Sequence, residues 1–552
     1  MPRTVVFATV AALACSTHAA AADWLQFGFD PAHSGRNPRE TLLDAANVAR
    51  LRLRYSVALP GTVPGAPVLL SSVTTPVGVR DVLYATQANG ALLALDAASG
   101  ALLWSRYPST THPCALPTAD DQCTTASSPA IDPGRQFVYS YALDGFVHKY
   151  TVGAGSEITG GGWPQLTTLK PELEQFSSAL AFATARNGTT YLYVVHSGPA
   201  WLPDDSGDYQ GHLTAINLST GTQVVFNAVC SDLGSQHFVR NDPNPPTTLQ
   251  PDCPQQQMNA PGDPTPFPTG DAGIWGRAGV VYDADTDHIY VSTGNGVFDA
   301  NNGGHNWSDS VLSLPAAFDA PLTAPFDSYT PANFLNLMYY DLDLGSTSIA
   351  ILPMPPQSTR PHIAAQSGKD GNVRILDLDD LSGAREAGHT GGELYLGSVP
   401  QGNEVKTQPL VWTDPNNGLS MLILVNNFGV SATQIVTDYA RGNFPALRSA
   451  GAPNWINGGT PVHGSATSAG GTSPVLANNV LYYAGASGVS ALDPRTGATL
   501  WNDASMGAAD ASANSSFSKQ SVIVANGRLY VTDNRGMLWV YEGDEVFFGG
   551  FE

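Results

Sequence analysis

The 552 residues include 25 lysines and arginines against 47 aspartates and glutamates, a formal charge of −22 whose field repels phosphate and disfavours nucleic acid or anionic lipid as partners. Only 13% of the residues are charged, while glycine (56) and proline (41) abound, the composition of a turn-rich all-β protein rather than a helical one. Length alone suggests several domains, but repeats along the chain argue for one.

The first residues read as an export leader. Arg3 supplies a positive charge, Val5 to Leu13 a short apolar core, and Ala19 to Ala22 a small-residue cleavage run before Asp23. Residues 1–22 are therefore expected to be a signal peptide and residues 23–552 a single exported domain, periplasmic or secreted. Lipidation at Cys15 is the alternative, disfavoured because Ala12 stands where a leucine is wanted. No later apolar run approaches the ~20 residues needed to span a bilayer.

Next comes an isolated apolar strand, Leu51 to Val57. Eight units of ~40–60 residues follow, the period of propeller blades. Each carries an apolar strand, in most units followed by a glycine turn: Val82-Leu83-Tyr84 with Asn89-Gly90, Val138-Tyr139 with Asp144-Gly145, Leu192-Tyr193 with Gly211, Ile289-Tyr290, His362-Ile363 with Asp370-Gly371, Leu422-Ile423, Leu481-Tyr482 with Gly488, and Leu529-Tyr530 with Arg535-Gly536. The first and seventh units continue in one pattern, Ala94-Leu95-Asp96 to Gly100 to Trp104 and Ala491-Leu492-Asp493 to Gly497 to Trp501; Ala215-Ile216-Asn217 with Thr220-Gly221 is a weaker copy. The aspartate caps a tight turn, the glycine takes its positive-φ position, and the tryptophan is suited to filling the gap between blades. The last unit stops at Leu538-Trp539-Val540-Tyr541 without an outer strand, so Leu51 to Val57 is expected to complete it and close the ring. The reading is an all-β, eight-bladed β-propeller closed by its N-terminal strand; two separate β-domains are the alternative.

Beyond the leader lie Cys114, Cys123, Cys230 and Cys253, an even number that suggests two disulfides in an exported chain. Of the three pairings, the local one (Cys114 with Cys123, Cys230 with Cys253) closes two turn-rich insertions. No C-x-x-C-H haem site or C-x-x-C zinc knuckle is present. The Pro-rich insertion at about 231–270 reads as structureless and leads into the strand bearing Trp275, placing it either over the central funnel or out on the surface. A second excursion, Leu314 to Phe334, adds Phe318, Phe326, Tyr329 and Phe334, expected near the mouth.

The Ala-x-Asp-x-x-Ser/Thr-Gly-x-x-x-Trp units and the opening Trp24-Leu25-Gln26-Phe27-Gly28-Phe29-Asp30 resemble the pyrroloquinoline quinone (PQQ) propellers, a superfamily of quinoprotein alcohol dehydrogenases and non-catalytic scaffolds. The resemblance spans essentially the whole mature chain and implies the fold; activity has to be argued from the site. Gly273-Ile274-Trp275-Gly276-Arg277 and Thr293-Gly294-Asn295 are similar to the family's quinone-stacking and calcium-binding strands. Tyr340-Asp341-Leu342-Asp343-Leu344-Gly345-Ser346 resembles the catalytic Asp-x-Asp segment in the form seen in polyvinyl-alcohol-dehydrogenase-like members, and Ser367-Gly368-Lys369-Asp370-Gly371 resembles the lysine element at the quinone's reactive edge.

The resemblance implies that Trp275 stacks beneath PQQ, Asn295 and Asp341 bind Ca²⁺, Asp341 acts as base and Lys369 contacts the quinone; Arg277, two residues after Trp275, is placed either to reach a quinone carboxylate or to pair with one of the many acids. Alcohol oxidation needs these types: a carboxylate within reach of the hydroxyl proton, hard oxygen donors for calcium, a cation for charge developing on the reduced cofactor, and a flat support to orient it. Each residue also has a plain structural reading: Trp275 as core, Asn295 as a turn, Asp341 and Asp343 as caps, Lys369 as a solvated loop residue.

The family's glutamate ligand has no counterpart in Ser197 to Asp208, where Asp204, Asp205 and Asp208 are the available substitutes, and the vicinal cysteine ring of many relatives is missing. Two functions follow. One is an exported PQQ- and calcium-dependent dehydrogenase of a small or polymeric alcohol or a sugar hydroxyl, with a separate electron acceptor. The other is a non-catalytic propeller that binds a protein or polysaccharide.

Overall fold

The computed structural model describes residues 22–107, 124–198, 209–239, 253, 257–259, 266–268, 272–426, 428–448, 454–457, 471–485, 488–505, 520–533 and 535–543. Strands such as Thr190–Ser197 are apolar without alternation and buried almost throughout, the pattern of sheets covered on both faces. Eight antiparallel meanders supply those covers for one another. Their innermost strands are Val68–Thr75, Ala130–Ile131, Ala181–Thr184, Val281–Asp283, Ala350–Leu352, Leu410–Thr413, Val475–Ala477 and Ile523–Ala525, for blades one to eight.

The eight-bladed expectation holds, and so does its closure. Blade eight takes its outermost strand from the start of the chain: Arg52–Ala58 runs antiparallel to Met537–Glu542, with Tyr55 opposite Val540 and Val57 opposite Leu538. This covers an edge that would otherwise invite intermolecular pairing.

The repeated turn is the joint between blades. Asp96 accepts the Ala98 N–H on its side chain (2.8 Å) and the Gly100 N–H on its carbonyl (2.7 Å), with Gly100 at φ +74°. Asp493 and Gly497 repeat this geometry. Such turns receive an aromatic from the preceding blade. Trp104 of blade one lies on Gly155 of blade two, where a Cβ would come within 2.6 Å of the indole, and its Nε1–H donates to the Gly153 carbonyl at 3.2 Å. Trp455 of blade six lies on Gly497 of blade seven in the same way, donating to Pro494 O at 2.9 Å.

Cys230 and Cys253 form a disulfide, Cα–Cα 5.9 Å, packed among Val229, Phe238 and Ala272. Cys114, Cys123 and residues 1–21 of the leader lie outside the described residues. The 231–270 insertion, expected to be structureless, contains a one-turn helix, Ser231–Leu233, and a hairpin, Gln257–Asn259 with Pro266–Pro268. Among the described residues no helix is long and apolar enough to cross a membrane.

Candidate active site

Four segments of blades four and five meet at the hub. Gly273 leads into blade four and accepts the Gly294 N–H at 2.9 Å, while Asn295 O accepts the Ala272 N–H at 2.8 Å. The loop leading into blade five crosses above them. Its Gly345 is obligatory, since a Cβ there would lie 2.5 Å from Gly294 N. Lys369 donates its backbone N–H to Asp343 O at 3.1 Å. Glycines on both sides thus let two backbones touch and bring their side chains to one spot.

At that spot the Lys369 ammonium pairs with Asp341 Oδ1 at 2.7 Å and with Asp343 Oδ2, and it sits 5.1 Å from the centroid of Trp275. Asn295 is tied to both acids: its backbone N–H donates to Asp343 Oδ1 at 2.7 Å and its Nδ2 to Asp341 Oδ1 at 3.1 Å. The two carboxylates differ in setting. The Asp341 side chain is 77% exposed, that of Asp343 8%, and that of Lys369 12%. Asp341 also holds φ +55°, a left-handed conformation that aspartate tolerates better than most side chains and that is common at functional sites.

The electrostatics follow. Desolvation and the Asp343 charge raise the pKa of Asp341. Burial would raise Asp343 too, but the Lys369 ion pair and the Asn295 N–H bring it below the ordinary carboxylate value. Burial opposes the charge on Lys369, and the two aspartates outweigh it, so its pKa rises. Behind them Asp309 is fully buried, accepts the Leu344 N–H at 3.1 Å, and is pushed well above the carboxylate range by burial and then by Asp343.

Residues 24–317, more than half of the chain, match the family described as PQQ: glucose/ethanol/alcohol dehydrogenase, β-propeller domain. The chain belongs to this PQQ propeller family. No curated protein matches it in sequence. Among solved structures this PQQ propeller resembles a europium-containing methanol dehydrogenase at 14% identity and TM-score 0.58, over 94% of this chain and 98% of that one. It also resembles quinohemoprotein alcohol dehydrogenases from Comamonas testosteroni (16%, 0.57, 95% of this chain and 81% of that one) and Pseudomonas putida HK5 (16%, 0.56, 94% and 80%). At such identities the likeness speaks to fold.

The PQQ propeller thus gathers Trp275, Asn295, Asp341 and Lys369, and Arg277 bonds to backbone carbonyls of the hub. Its guanidinium crosses the ring to the carbonyls of Lys406 (2.6 Å) and Gln520 (3.4 Å), and burial lowers its pKa to about 9. The excursion aromatics, expected near the mouth, have separate partners. Phe318 and Tyr329 are buried in blade packing, the latter bonded to Arg374, Phe334 packs edge-on against Phe298, and the exposed Phe326 lies against His288. Sequence reasoning weighed Asp343 only as a cap and assigned Asp309 no part; the alternation in Asp-Leu-Asp was the available signal for the first.

The residues present fit a hard cation and a polar ring. Asn295 Oδ1 is buried without a hydrogen-bond partner, as is the Ser197 hydroxyl, and the Ser197 Cβ lies 2.7 Å from where a Gly273 Cβ would stand. A buried orphan acceptor beside two carboxylates is an incomplete set of oxygen donors. Glu174, whose neighbour Leu173 abuts Gly198, does not extend that set, because its carboxylate is engaged by Thr168, by the Gln210 N–H (2.9 Å) and by Lys170 (3.6 Å). Asp204, Asp205 and Asp208 lie outside the described residues.

Proposed function

We propose that this PQQ propeller is an exported quinoprotein dehydrogenase that oxidises an alcohol or sugar hydroxyl and passes the electrons to a separate acceptor. The observation that carries this reading is the Lys369 ammonium held between Asp341 and Asp343, beside the orphan Asn295 Oδ1 and over Trp275. Asn295 Oδ1 with the two carboxylates would hold calcium, and Trp275 would support the quinone. Bound PQQ would supply the two-electron acceptor and calcium would polarise its accepting carbonyl.

The chain's own residues have distinct tasks. Asp341, the carboxylate of the pair that is open to solvent, takes the hydroxyl proton, since a base must lie within hydrogen-bond reach of the hydroxyl it deprotonates. Asp343 stays ionised: besides being a donor for calcium it fixes the lysine and the Asn295 backbone. Lys369 stays protonated and offers a fixed positive charge where negative charge develops.

A second reading, a non-catalytic propeller binding a protein or polysaccharide, is favoured by the missing glutamate. One experiment separates the two. Purified protein given PQQ and Ca²⁺ should acquire a bound-quinone absorbance and dye-linked alcohol oxidation, and Asp341→Asn should keep the absorbance while losing turnover. Absence of both signals in the unaltered protein rejects the enzyme reading, and full activity in Asp341→Asn rejects Asp341 as base.

A further inference from the structure

Residues 22–37 precede the closing strand and belong to no blade of their own, yet Asp23, Trp24, Gln26, Phe27, His33 and Asn37 are all 5% exposed or less. Their successive contacts meet the blades in ring order. Trp24 exchanges two backbone hydrogen bonds with Leu69 of blade one (2.8 and 2.9 Å); Leu25 O accepts the Ile131 N–H of blade two (2.7 Å); Gln26 Oε1 accepts the Phe182 N–H of blade three (2.7 Å). Pro31 O accepts the Tyr282 N–H of blade four (2.9 Å). After blades five and six, Gly35 O accepts the Leu476 N–H of blade seven (2.8 Å), and Asn37 Nδ2 donates to Val524 O of blade eight (2.8 Å).

The five N–H donors share one structural position. Each belongs to the second residue of its blade's innermost strand, the edge that a closed ring turns toward its own channel. Buried edges of that kind need partners, and a single turn-rich segment supplies them, folded back on itself so that the Gly35 N–H donates to Gly28 O at 2.9 Å. At blades five and six the equivalent residues, Ile351 and Val411, instead line a cavity of about 270 Å³ beside Ala32, His33 and Ser34.

Both ends of the segment are pinned near the seam where blade eight meets blade one. Asp23 Oδ1 accepts the Ser71 N–H (3.0 Å) and hydroxyl (2.6 Å), and its other oxygen pairs with Arg135 of blade two. At the far end, Glu40 accepts the Gly527 N–H at 3.1 Å.

We infer that residues 22–37 form a strap that holds the ring shut across its non-covalent seam and stoppers the channel beyond the site, and that it lets go as one unit rather than contact by contact. The strap ends on blade eight, so it is seated only after the last blade exists, although it is the first part of the described chain. Its role is independent of the reaction proposed above.

Hydrogen–deuterium exchange on the full chain at single-amide resolution tests this. The amides of Leu69, Ile131, Phe182, Tyr282 and Leu476 should open together, and Gln26→Ala, which of the five acceptors removes the one for Phe182, should speed all five by about tenfold. Acceleration confined to Phe182 overturns the proposal. The unaltered chain gives a second test that does not depend on the variant accumulating: after correction for intrinsic chemistry, rates for the five amides that scatter over more than about a hundredfold, a spread typical of independent local openings, overturn it too.

Discussion

Replacing Lys369 by methionine keeps the length of the side chain and removes its charge. Asp343 would keep the Asn295 N–H but lose its ammonium partner, at 8% exposure of its own side chain. Removing one member of a buried ion pair costs about 3–5 kcal/mol, and the surviving hydrogen bond together with the exposure of Asp341 puts the expected loss near the lower end, about 3 kcal/mol. The pH dependence carries the sign. In the native protein Asp343 is held below its ordinary value, so its contribution is present above the unfolded carboxylate pKa of about 3.9 and fades as pH falls through the lower native value. In Lys369→Met, burial would dominate and raise that pKa, so the deficit should be largest at neutral pH and shrink on acidification. Urea unfolding of metal-free protein at pH 7 and pH 5 measures it, and adding Asp343→Asn should recover most of the loss. A deficit that is equal at both pH values, or that Asp343→Asn leaves in place, would mean the lysine acts by packing alone.

Trp104→Ala empties a joint between blades one and two and should cost about 3–5 kcal/mol, read as a fall in the unfolding midpoint; an unchanged midpoint would show that the blades cohere without their aromatic docks. His148 is buried between Asp144 (3.1 Å) and Glu157 (2.6 Å), and although burial lowers its pKa, the two acids raise it above the ordinary value. Its stabilisation is then complete below the unfolded histidine value of about 6.5 and is lost as pH rises through the higher native value, so thermal unfolding should weaken over that interval and His148→Asn should flatten the profile. Reducing the Cys230–Cys253 link, which spans 23 residues, should cost about 3 kcal/mol on the chain-entropy scale, measured by unfolding with and without reductant.

The blades were legible because each repeats an apolar strand, in most followed by a glycine turn, and two add a capping aspartate, a glycine at positive φ and a tryptophan four residues on. The closing strand was legible as a strand without a neighbour. The convergence of Trp275, Asn295, Asp341 and Lys369 was reached only through a resemblance, since nothing in their spacing says that segments nearly a hundred residues apart share a hub. Spacing was equally silent on which acid of Asp-Leu-Asp is buried; that is decided by the left-handed turn at Asp341, which sends one carboxylate to solvent and the other under Asn295. Spacing was silent on Arg277 as well, whose guanidinium goes to the Lys406 and Gln520 carbonyls. The strap left no mark in the sequence because its partners offer mostly backbone N–H groups, which every residue type but proline carries alike.

All the side chains of the site come from the two flanks of one joint, that between blades four and five. In a closed ring the rotations from blade to blade must add up to a full turn, so this joint cannot widen unless others narrow. The distance between Asn295 and Asp341 is therefore governed by the whole circumference, and a substitution at a remote tryptophan dock would retune the site by altering the angular share left to it.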